Sequence, residues 1–457
     1  MEVKTERRSA LAVAMMSSFL TPYLGSSIAV AFPTIAEEFT VSLVLGSWIV
    51  TAYLLAAGAF LVPFGRLADT HGRKKLFLNG MWVFAAGTVL CTVAPSIEAL
   101  IAFRLLQGVG GAMIFGTSIA IVTSVYPPEE RGKALGFTTM LVYIGLSVGP
   151  VIGGILTEFI SWRAIFAVTL PLNAAIIVIG YRWLAGEWAG ARGEKLDVAG
   201  SAVYGLSLTA VVLGLTFILN PLGVVSLALG LVCLVAFIVI ERSASNPVLD
   251  VRLFSRNRAF AFSNVAALIN YSATSAVGFL MSIYLQIEKG FSAYDTGIIL
   301  ISQPILMAIF SPIAGKLSDR FEPQYISSIG MAITATGLVM LALLTIDSAV
   351  LVIVLSMAFL GFGFAFFSSP NTNAVMTSVE KRHYGIASAT VGTMRLIGQV
   401  MSIAVATLFI SVFVGDVVIQ QEHVEMFHEA FRTSFIAFAA LCYVGVFASL
   451  ARGKVHE

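Results

Sequence analysis

The sequence predicts an all-α membrane protein with fourteen transmembrane helices, and its composition, hydropathy and charge placement each support this fold class. Of its 457 residues, 58% are hydrophobic and only 11% are charged, and the mean hydropathy is +0.93. A soluble domain usually has about a quarter of its residues charged, so most of this surface cannot face water. The composition therefore excludes a cytosolic enzyme, a nucleic-acid-binding protein and a disordered chain.

Apolar stretches that could cross a bilayer, which takes about 20 helical residues, recur along the whole chain. Polar or Gly/Pro breaks separate fourteen of them, at residues 9–33, 43–64, 76–95, 98–125, 135–157, 163–184, 198–219, 222–241, 259–286, 293–313, 325–345, 349–370, 385–414 and 429–450. The basic N-terminus lacks a small-residue cleavage site after a short apolar core, which predicts a retained first helix rather than a signal peptide.

Basic residues are distributed unequally between the two faces that this order of helices creates. The face that holds both termini has 22 of the 27 lysines and arginines, and the other face has Arg163, Lys289 and Arg432. Because positively charged loops stay in the cytoplasm, we expect a multi-pass protein of the cytoplasmic membrane with both termini inside. A missed helix would reverse this bias partway along the chain, and the bias does not reverse.

The second half of the sequence repeats the first. GRLAD at 65–69 recurs as GKLSD at 315–319, and the segment 131–145 is echoed at 384–398, with offsets of 250 and 253 residues. Six helices with loops need about 200 residues, so the excess matches an inserted helix pair. We predict a six-helix bundle at 1–196, the inserted pair at 197–241 and a second six-helix bundle at 242–457, related by pseudo-symmetry. Such repeats are typical of secondary transporters.

The segment from Gly65 to Lys75 combines two glycines, one acid and several bases. We expect a tight turn in which Asp69 faces the N-terminus of a helix from the other half, where the macrodipole favours an anion. Arg73 could pair with Glu129 or Glu130, and such contacts would close the cytoplasmic side. A generic basic loop is the alternative interpretation.

This segment resembles the signature of the major facilitator superfamily, and other segments agree with that resemblance. They are Arg104-Leu-Leu-Gln107-Gly108, Gly145 to Gly154, Ser161 to Phe166, and Glu241 to Phe254, which are similar to segments of the fourteen-helix drug:proton antiporter branch. The resemblance covers nearly the whole chain. It implies export of drugs or other small amphipathic compounds by alternating access, in exchange for protons, but it does not specify a substrate.

Two arginines, Arg104 and Arg395, lie within predicted spans, where a charge is costly unless it meets water or a partner. For Arg104 the resemblance implies a cavity-facing residue in coupling or substrate binding, with Gln107 on the same helix face. The alternative is a structural arginine bonded to backbone carbonyls. For Arg395 the functional and structural interpretations are equally open.

The fifth predicted helix carries a run of small residues that favours close helix packing and a bend, namely Gly145, Gly149, Pro150, Gly153 and Gly154. The resemblance implies a hinge and gate seal between the halves, and ordinary small-residue packing is the alternative. Further candidates for lining a midplane cavity include Met113, Asn270, Tyr271 and Gln303, for each of which helix packing is the alternative role.

The sequence departs from the branch at the first helix, which commonly carries an Asp nine residues before its terminal Pro. Here that Pro is Pro33 and the position holds Leu24. No acid is expected near the middle of a span, although a proton-driven carrier usually needs a buried carboxylate. Glu158 could titrate, coupling could run through Asp69, or exchange could proceed without protons. The two intramembrane arginines would favour an anionic or zwitterionic amphiphile.

Other functional classes are weaker. A membrane enzyme would need a His, Asp or Glu cluster inside the spans, and none occurs, so we expect neither catalytic residues nor cofactors. Cys91, Cys233 and Cys442 lie in apolar runs, which argues against disulfides and metal sites. The His and Glu residues of 422–429 could bind a metal, but a solvated acidic segment is expected.

We expect a monomeric exporter in a lipid bilayer. The alternatives are an exporter of an anionic metabolite or lipid-like molecule that is not coupled through a first-helix carboxylate, and a non-transporting sensor.

Overall fold

A computed structural model describes residues 2–190, 196–244, 247–249, 251–380, 384–418 and 423–453. Within these ranges the fold is all-α without strands, and fourteen helical segments are long and apolar enough to cross a membrane. The helices form two bundles and an inserted pair, which confirms the predicted fold class.

The first bundle, the N-bundle, contains seven helices that make six spans. They are α1 (Glu2–Glu38), α2 (Leu43–His71), α3 (Arg73–Thr92), α4 (Ile97–Val125), α5 (Pro128–Phe159), α6 (Arg163–Ala167) and α7 (Leu170–Trp183). The α6 and α7 helices belong to one span that is interrupted shortly before Pro171, a residue without the N–H that a continuous helix requires.

The inserted pair and the second bundle, the C-bundle, complete the chain. The inserted helices are α8 (Val198–Thr216) and α9 (Pro221–Ser243), and a short helix, α10 (Val251–Arg256), follows them. The C-bundle contains α11 (Arg258–Thr274), α12 (Val277–Ile283), a π-helical turn (Tyr284–Glu288), α13 (Ala293–Leu300), α14 (Ser302–Ser318), α15 (Pro323–Ala342), α16 (Val350–Thr377), α17 (Tyr384–Phe413) and α18 (Val424–Ala451).

Helix α2 is longer than hydropathy indicates. The prediction of a tight turn with two glycines was wrong, because the helix continues through Gly65 to His71 and breaks only at Gly72. There φ is +117°, which a glycine adopts at little cost. Polar residues beyond the bilayer end the hydropathy signal without ending the helix.

The two bundles repeat one packing pattern. In the N-bundle α1 packs on α5, and α4 packs on both α2 and α3; in the C-bundle α11 packs on α17, and α16 packs on both α14 and α15. Between the bundles, α5 packs on α13 and α14, and α17 packs on α2. In each case the fifth span of one bundle (α5 or α17) packs on the second span of the other bundle (α13 and α14, or α2), as expected of a duplicated unit. These contacts form two seams between the bundles.

The inserted pair covers only one of these seams. Helix α8 packs on both α2 and α17, and the Tyr204 hydroxyl donates a 3.0 Å hydrogen bond to the carbonyl of Gly58. Leu208 and Val212 join Leu55 and Val400 in one apolar cluster. Helix α9 lies outside α8 and exposes most of its apolar side chains, as a lipid-facing helix does.

Glycines of α5 allow a close approach to α1. A Cβ at Gly145 would lie 2.6 Å from the carbonyl oxygen of Phe19, and one at Gly153 would lie 2.7 Å from the Cα of Ser27. Ser27 also donates a 2.8 Å hydrogen bond to the carbonyl of Gly149. Small residues at this interface therefore join α1 and α5 through backbone contacts.

This packing predicts opposite effects for two Gly→Ala changes on α5. Gly145→Ala should lower the thermal unfolding temperature in detergent, because the methyl group meets the backbone of α1. Gly136→Ala is the matched control, since a Cβ there meets no atom within 4 Å, and alanine gains up to about 1 kcal/mol of helix propensity over glycine. Equal unfolding temperatures for the two variants would contradict the packing account.

Candidate functional site

Two ends of the molecule are distinguished by charge. The basic end holds the α2–α3, α4–α5 and α14–α15 connections with most lysines and arginines, and the opposite end holds the α1–α2, α3–α4, α5–α6 and α17–α18 connections.

At the opposite end an acid of the N-bundle meets a helix N-terminus of the C-bundle. The Glu158 carboxylate, on the last turn of α5, accepts a 3.2 Å hydrogen bond from the backbone N–H of Ala293, the first residue of α13. A Cβ at Gly154 would lie 2.5 Å from the carbonyl oxygen of Ala293, and the backbones of Pro150 and Gly297 are also in close approach. The seam between α5 and α13 is therefore closed here.

The second seam is closed in the same way. Asp416 follows α17 and accepts a hydrogen bond from the hydroxyl of Ser42, the N-cap residue of α2. Because α17 and α2 are the counterparts of α5 and α13, each seam joins an acid at the end of one bundle's fifth span to the start of the other bundle's second span. A negative charge is favoured at a helix N-terminus. We name the Glu158 and Asp416 contacts the outer latches.

A third contact joins the first spans of the two bundles. Gln286 donates a 2.8 Å hydrogen bond to the carbonyl of Val30, and Ser282 donates a 3.3 Å bond to the same oxygen. The rings of Phe32 and Phe279 pack with their centroids 4.7 Å apart. The opposite end is thus closed along both seams and between α1 and α12.

Asp69, Arg73 and Glu130, which were predicted to close the cytoplasmic side, contact residues of their own bundle. Arg73 donates bonds of 3.0 and 2.7 Å to Asp69 and a 2.7 Å bond to the hydroxyl of Ser124 on α4. The expected Arg73–Glu130 pair is not formed, since Glu130 lies 3.4 Å from Arg7; the side chain of Glu129 lies outside the described residues. Asp69 is likewise placed with Arg73 rather than with a helix of the C-bundle.

Arg7 and Glu130 lie beside Tyr126, which follows the end of α4. The Tyr126 hydroxyl donates a 3.1 Å hydrogen bond to the carbonyl of Arg7. Burial raises the pKa of the Tyr126 phenol, and Glu130 adds to this effect while Arg7 opposes it. These groups hold α1 against the α4–α5 connection.

Arg395 lies near the middle of α17 and has no hydrogen-bond acceptor or acid in the described part of the chain. Its Nε is buried without a partner. The guanidinium carbon lies 5.1 Å from the ring centroid of Tyr271 on α11. The Arg395 side chain is only partly buried, and with no acceptor among the described residues its guanidinium is available to a ligand.

Hydroxyl groups from both bundles surround Arg395. Ser311 donates a 3.0 Å hydrogen bond to the hydroxyl of Tyr143, which joins α14 to α5, and Tyr143 lies within electrostatic range of Arg395. The hydroxyls of Tyr271 and Ser368 are 3.3 Å apart. Apolar side chains pack beside them, namely Met307, Phe364, Met394, Leu146 and Leu268. We name Arg395, Tyr271, Tyr143, Ser311 and Ser368 the midplane cluster.

Arg104, in contrast, is fully engaged inside the N-bundle. It is 2% exposed, its Nε donates a 2.9 Å hydrogen bond to the carbonyl of Ile49, and Nη1 donates to the side-chain oxygen of Gln107. Gln107 donates a 2.8 Å bond to Thr88 on α3, and the guanidinium lies 4.4 Å from the Tyr53 ring centroid. These contacts fit the structural interpretation of Arg104.

The remaining predicted binding residues are not gathered at one place. Met113 packs against Gly80 of α3 inside the N-bundle. Asn270 is buried, and neither amide atom has a partner among the described residues. Gln303 lies on the first turn of α14, where its backbone contacts Gly361. Of the predicted binding and coupling residues, Tyr271 and Arg395 meet in the midplane cluster.

Sequence reasoning missed several contact residues because their partners are far apart in the chain. Tyr143 lies within the repeated segment 131–145, which could have singled it out, but nothing indicated Ser311 or Asp416. His428, expected in a solvated segment, instead contacts Glu288. Among the described residues no group of three or more His, Cys, Asp or Glu could hold a metal ion.

Comparison with known families decides the classification of this two-bundle architecture. The family model described as Major Facilitator Superfamily matches residues 14–403 and, in a second match, 263–455. The chain belongs to the major facilitator superfamily. It is therefore a membrane transporter of that superfamily rather than an enzyme.

Relatives within the superfamily match most of the chain. Riboflavin transporter RibZ of Clostridioides difficile (strain 630) is 29% identical over 443 residues, which cover 95% of this chain and 95% of the relative. Cephamycin export protein CmcT of Amycolatopsis lactamdurans is 30% identical over 407 residues, covering 87% and 84%. Multidrug resistance protein Stp of Mycobacterium tuberculosis is 30% identical over 385 residues, covering 82% and 71%.

Solved structures of superfamily transporters share the fold. A POT family transporter in complex with 5-aminolevulinic acid aligns with a TM-score of 0.74 over 98% of both chains, at 14% identity. A bacterial homologue of the human lysosomal transporter Spinster aligns with a TM-score of 0.66 over 98% of this chain and 97% of that chain, at 16% identity.

The Arg104 network predicts a loss of stability on truncation. Arg104→Ala should lower the thermal unfolding temperature in detergent, because the Ile49 carbonyl and the Gln107 side chain lose their donor at about 1–3 kcal/mol for each buried group left unpaired. Lys133→Ala, an exposed change on α5, is the control and should shift stability by less than about 0.5 kcal/mol. An unfolding temperature for Arg104→Ala equal to that of the control would contradict a structural role.

Proposed function

We propose that the protein is a secondary active transporter that exports small amphipathic compounds across the cytoplasmic membrane by alternating access, in exchange for protons. The observation that carries this proposal is the closure of the opposite end by two equivalent latches, above a midplane cluster to which both bundles contribute. A site to which both bundles contribute, closed on one side, is what alternating access requires.

The orientation follows from charge. Because lysines and arginines favour the cytoplasmic side, we assign the basic end to the cytoplasm, with both termini inside, and the opposite end to the exterior. The outer latches then close the external side. The components of the midplane cluster and both latches belong to one chain, so the proposed working unit is a monomer.

We propose that Asp69, Arg73 and Glu130 form the inner gate when the basic end closes. In the present arrangement these residues bind partners within the N-bundle, through pairs that are partly exposed to solvent. Exposed ion pairs are worth about 1 kcal/mol or less, so they can exchange partners at low cost. Gly145, Gly149 and Gly153 hold α5 on α1, whereas Pro150 and Gly154 face the C-bundle; we propose the former as the hinge and the latter as the seal.

The superfamily relatives support export of organic compounds. Relatives that match most of this chain carry the names of a multidrug resistance protein, a cephamycin export protein and a riboflavin transporter. Apolar and aromatic side chains beside hydroxyl groups, as in the midplane cluster, suit amphipathic molecules.

A second candidate function, export of an anionic metabolite or lipid-like molecule, is favoured by the state of Arg395. This guanidinium has no acid or acceptor among the described residues, and Arg104 is already occupied by the N-bundle. A carboxylate or phosphate ligand would supply the missing acceptors through charge-assisted hydrogen bonds. A cationic ligand would be repelled from the same position.

Flux in proteoliposomes with an imposed pH gradient tests these functions with three fluorescent probes: ethidium as a cation, riboflavin as a neutral compound and fluorescein as an acid. Transport of at least one probe, driven by the gradient, is expected. Saturable binding without flux would indicate a sensor instead. Arg395→Ala should slow fluorescein flux tenfold or more, about 1.4 kcal/mol in binding, while Arg320→Ala, an exposed change at the basic end, should not.

If ethidium is exported as fast as fluorescein, the anionic proposal fails while general amphipathic export stands. If flux of every probe is unchanged by dissipating the pH gradient, proton exchange fails.

The outer latches predict a shift between conformations. Replacing Glu158 with Gln and Asp416 with Asn together removes both charges from the helix N-termini, each worth about 0.3–1 kcal/mol. The externally open population should rise about three- to thirtyfold.

Spin-label distances would measure this population in a chain without Cys91, Cys233 and Cys442. The labels are placed on cysteines at Ile160 and Leu343, which are 70% and 68% exposed at the opposite end of different bundles. Glu429→Gln, an exposed acid at the same end, is the control. An unchanged distance distribution in the double variant would show that the latches do not hold the external side closed.

A further inference from the structure

A buried acid–base pair lies at the opposite end of the C-bundle, outside the midplane cluster and the outer latches. The Nδ1 of His428, in the first turns of α18, lies 2.8 Å from Oε1 of Glu288. The Glu288 side chain is only 2% exposed, and its second oxygen is buried without a hydrogen-bond partner. The His428 side chain is 22% exposed, so external water reaches the pair through the imidazole.

The neighbouring groups leave Glu288 with His428 as its one hydrogen-bond partner in the described part of the chain. Lys289 donates bonds of 2.6 and 2.7 Å to the carbonyls of Ile346 and Ser348 rather than to Glu288, although its charge lies within electrostatic range of that carboxylate. The Tyr284 hydroxyl donates a 2.6 Å bond to the carbonyl of Thr345. At this end of the surrounding elements the other charged or titratable side chains are Tyr294 and Asp295 on α13, Asp347 before α16, His423 before α18, and Glu425, Glu429 and Arg432 on α18.

Glu288 is the last residue of the π-helical turn that also contributes to closure of the opposite end. Gln286, two residues earlier in the same turn, donates the hydrogen bond to Val30 of the N-bundle. A π-helical turn is less stable than a continuous α-helix and recurs at functional sites. The Glu288–His428 bond ties this turn to α18 and so helps to hold Gln286 in position.

We propose that Glu288 and His428 form an external proton-binding site that controls closure of the opposite end. With one proton shared between carboxylate and imidazole the pair is neutral and hydrogen-bonded, which suits its burial. When that proton leaves to external water, the pair carries a net negative charge with an unpartnered oxygen, and burying such a charge is costly. The bond to α18 then weakens, the π-helical turn is released, and Gln286 leaves Val30.

The direction of the effect follows from linkage. The closed arrangement binds one more proton than the open one, so external acid favours closure and external alkali favours opening. In the proposed exchange of substrate for protons, on which this role rests, a proton taken up outside would promote the return of the empty transporter to the arrangement open to the cytoplasm. Because its proton comes from and returns to the external water, the pair regulates closure and does not replace the coupling carboxylate that the first helix lacks at Leu24.

Spin-label distances between cysteines at Ile160 and Leu343, measured in nanodiscs without substrate, test the pair directly. The ratio of open to closed molecules should rise with pH by up to about tenfold per unit. The double change of Glu288→Gln with His428→Gln should abolish this dependence, because the two amides can still form a hydrogen bond but exchange no proton. His428→Gln alone should move the midpoint of the dependence, because Glu288 is then left without the imidazole that shares its proton. Glu429→Gln removes an exposed acid next to His428 and should behave as the unchanged protein does.

A pH dependence that survives in the double variant, or one that is absent from the unchanged protein, would overturn the proposal. If the double variant does not fold, His428→Gln decides, since its side chain is partly exposed: a midpoint equal to that of the unchanged protein would overturn the proposal. Flux of the same variants in proteoliposomes distinguishes failure of the proton site from failure of the export function. If a probe is transported but the distance does not depend on pH, only the proposed proton site is rejected. If the distance depends on pH but no probe is transported, the proposed export function is rejected.

Discussion

An acid at the end of one bundle's fifth span meets the start of the other bundle's second span, and this contact occurs twice. Glu158 reaches the backbone of Ala293, and Asp416 reaches Ser42. Because the two contacts are related by the internal repeat, one rigid rotation of the bundles makes or breaks both. Each is worth about 1 kcal/mol or less, which suits an interface that opens repeatedly.

The interiors of the bundles are built differently from the seams between them. Within the N-bundle, Gly145 brings α5 onto the backbone of α1, and Arg104 ties α2, α3 and α4 together through Ile49 and Gln107. Such backbone packing and buried hydrogen bonds are costly to break. The seams instead contain hydroxyl groups, small residues and exposed acids. We propose that each bundle moves as a body and that Arg395, which has no acceptor among the described residues, is left for a ligand.

The helices were predictable from sequence, whereas the site was only partly so. Hydropathy, charge asymmetry and the repeat identify fourteen spans, because burial in lipid imposes an apolar composition on each of them. The hydropathy signal does not show that α2 continues to His71. Arg104 and Arg395 look alike in sequence, since each is a lone charge in an apolar run, and only tertiary contacts show that one is satisfied and the other is not. Glu288 and His428 are 140 residues apart and belong to different helices, so no local pattern could pair them.

We propose that the bundles rock about the midplane cluster, so that one end opens as the other closes. Single-molecule fluorescence with one label pair at each end tests this most directly: Ile160 and Leu343 at the opposite end, and the exposed Lys133 and Arg320 at the basic end. The account predicts that molecules with a long distance at one end have a short distance at the other. Distances that lengthen at both ends together, or that do not change at either end during probe transport, would contradict it.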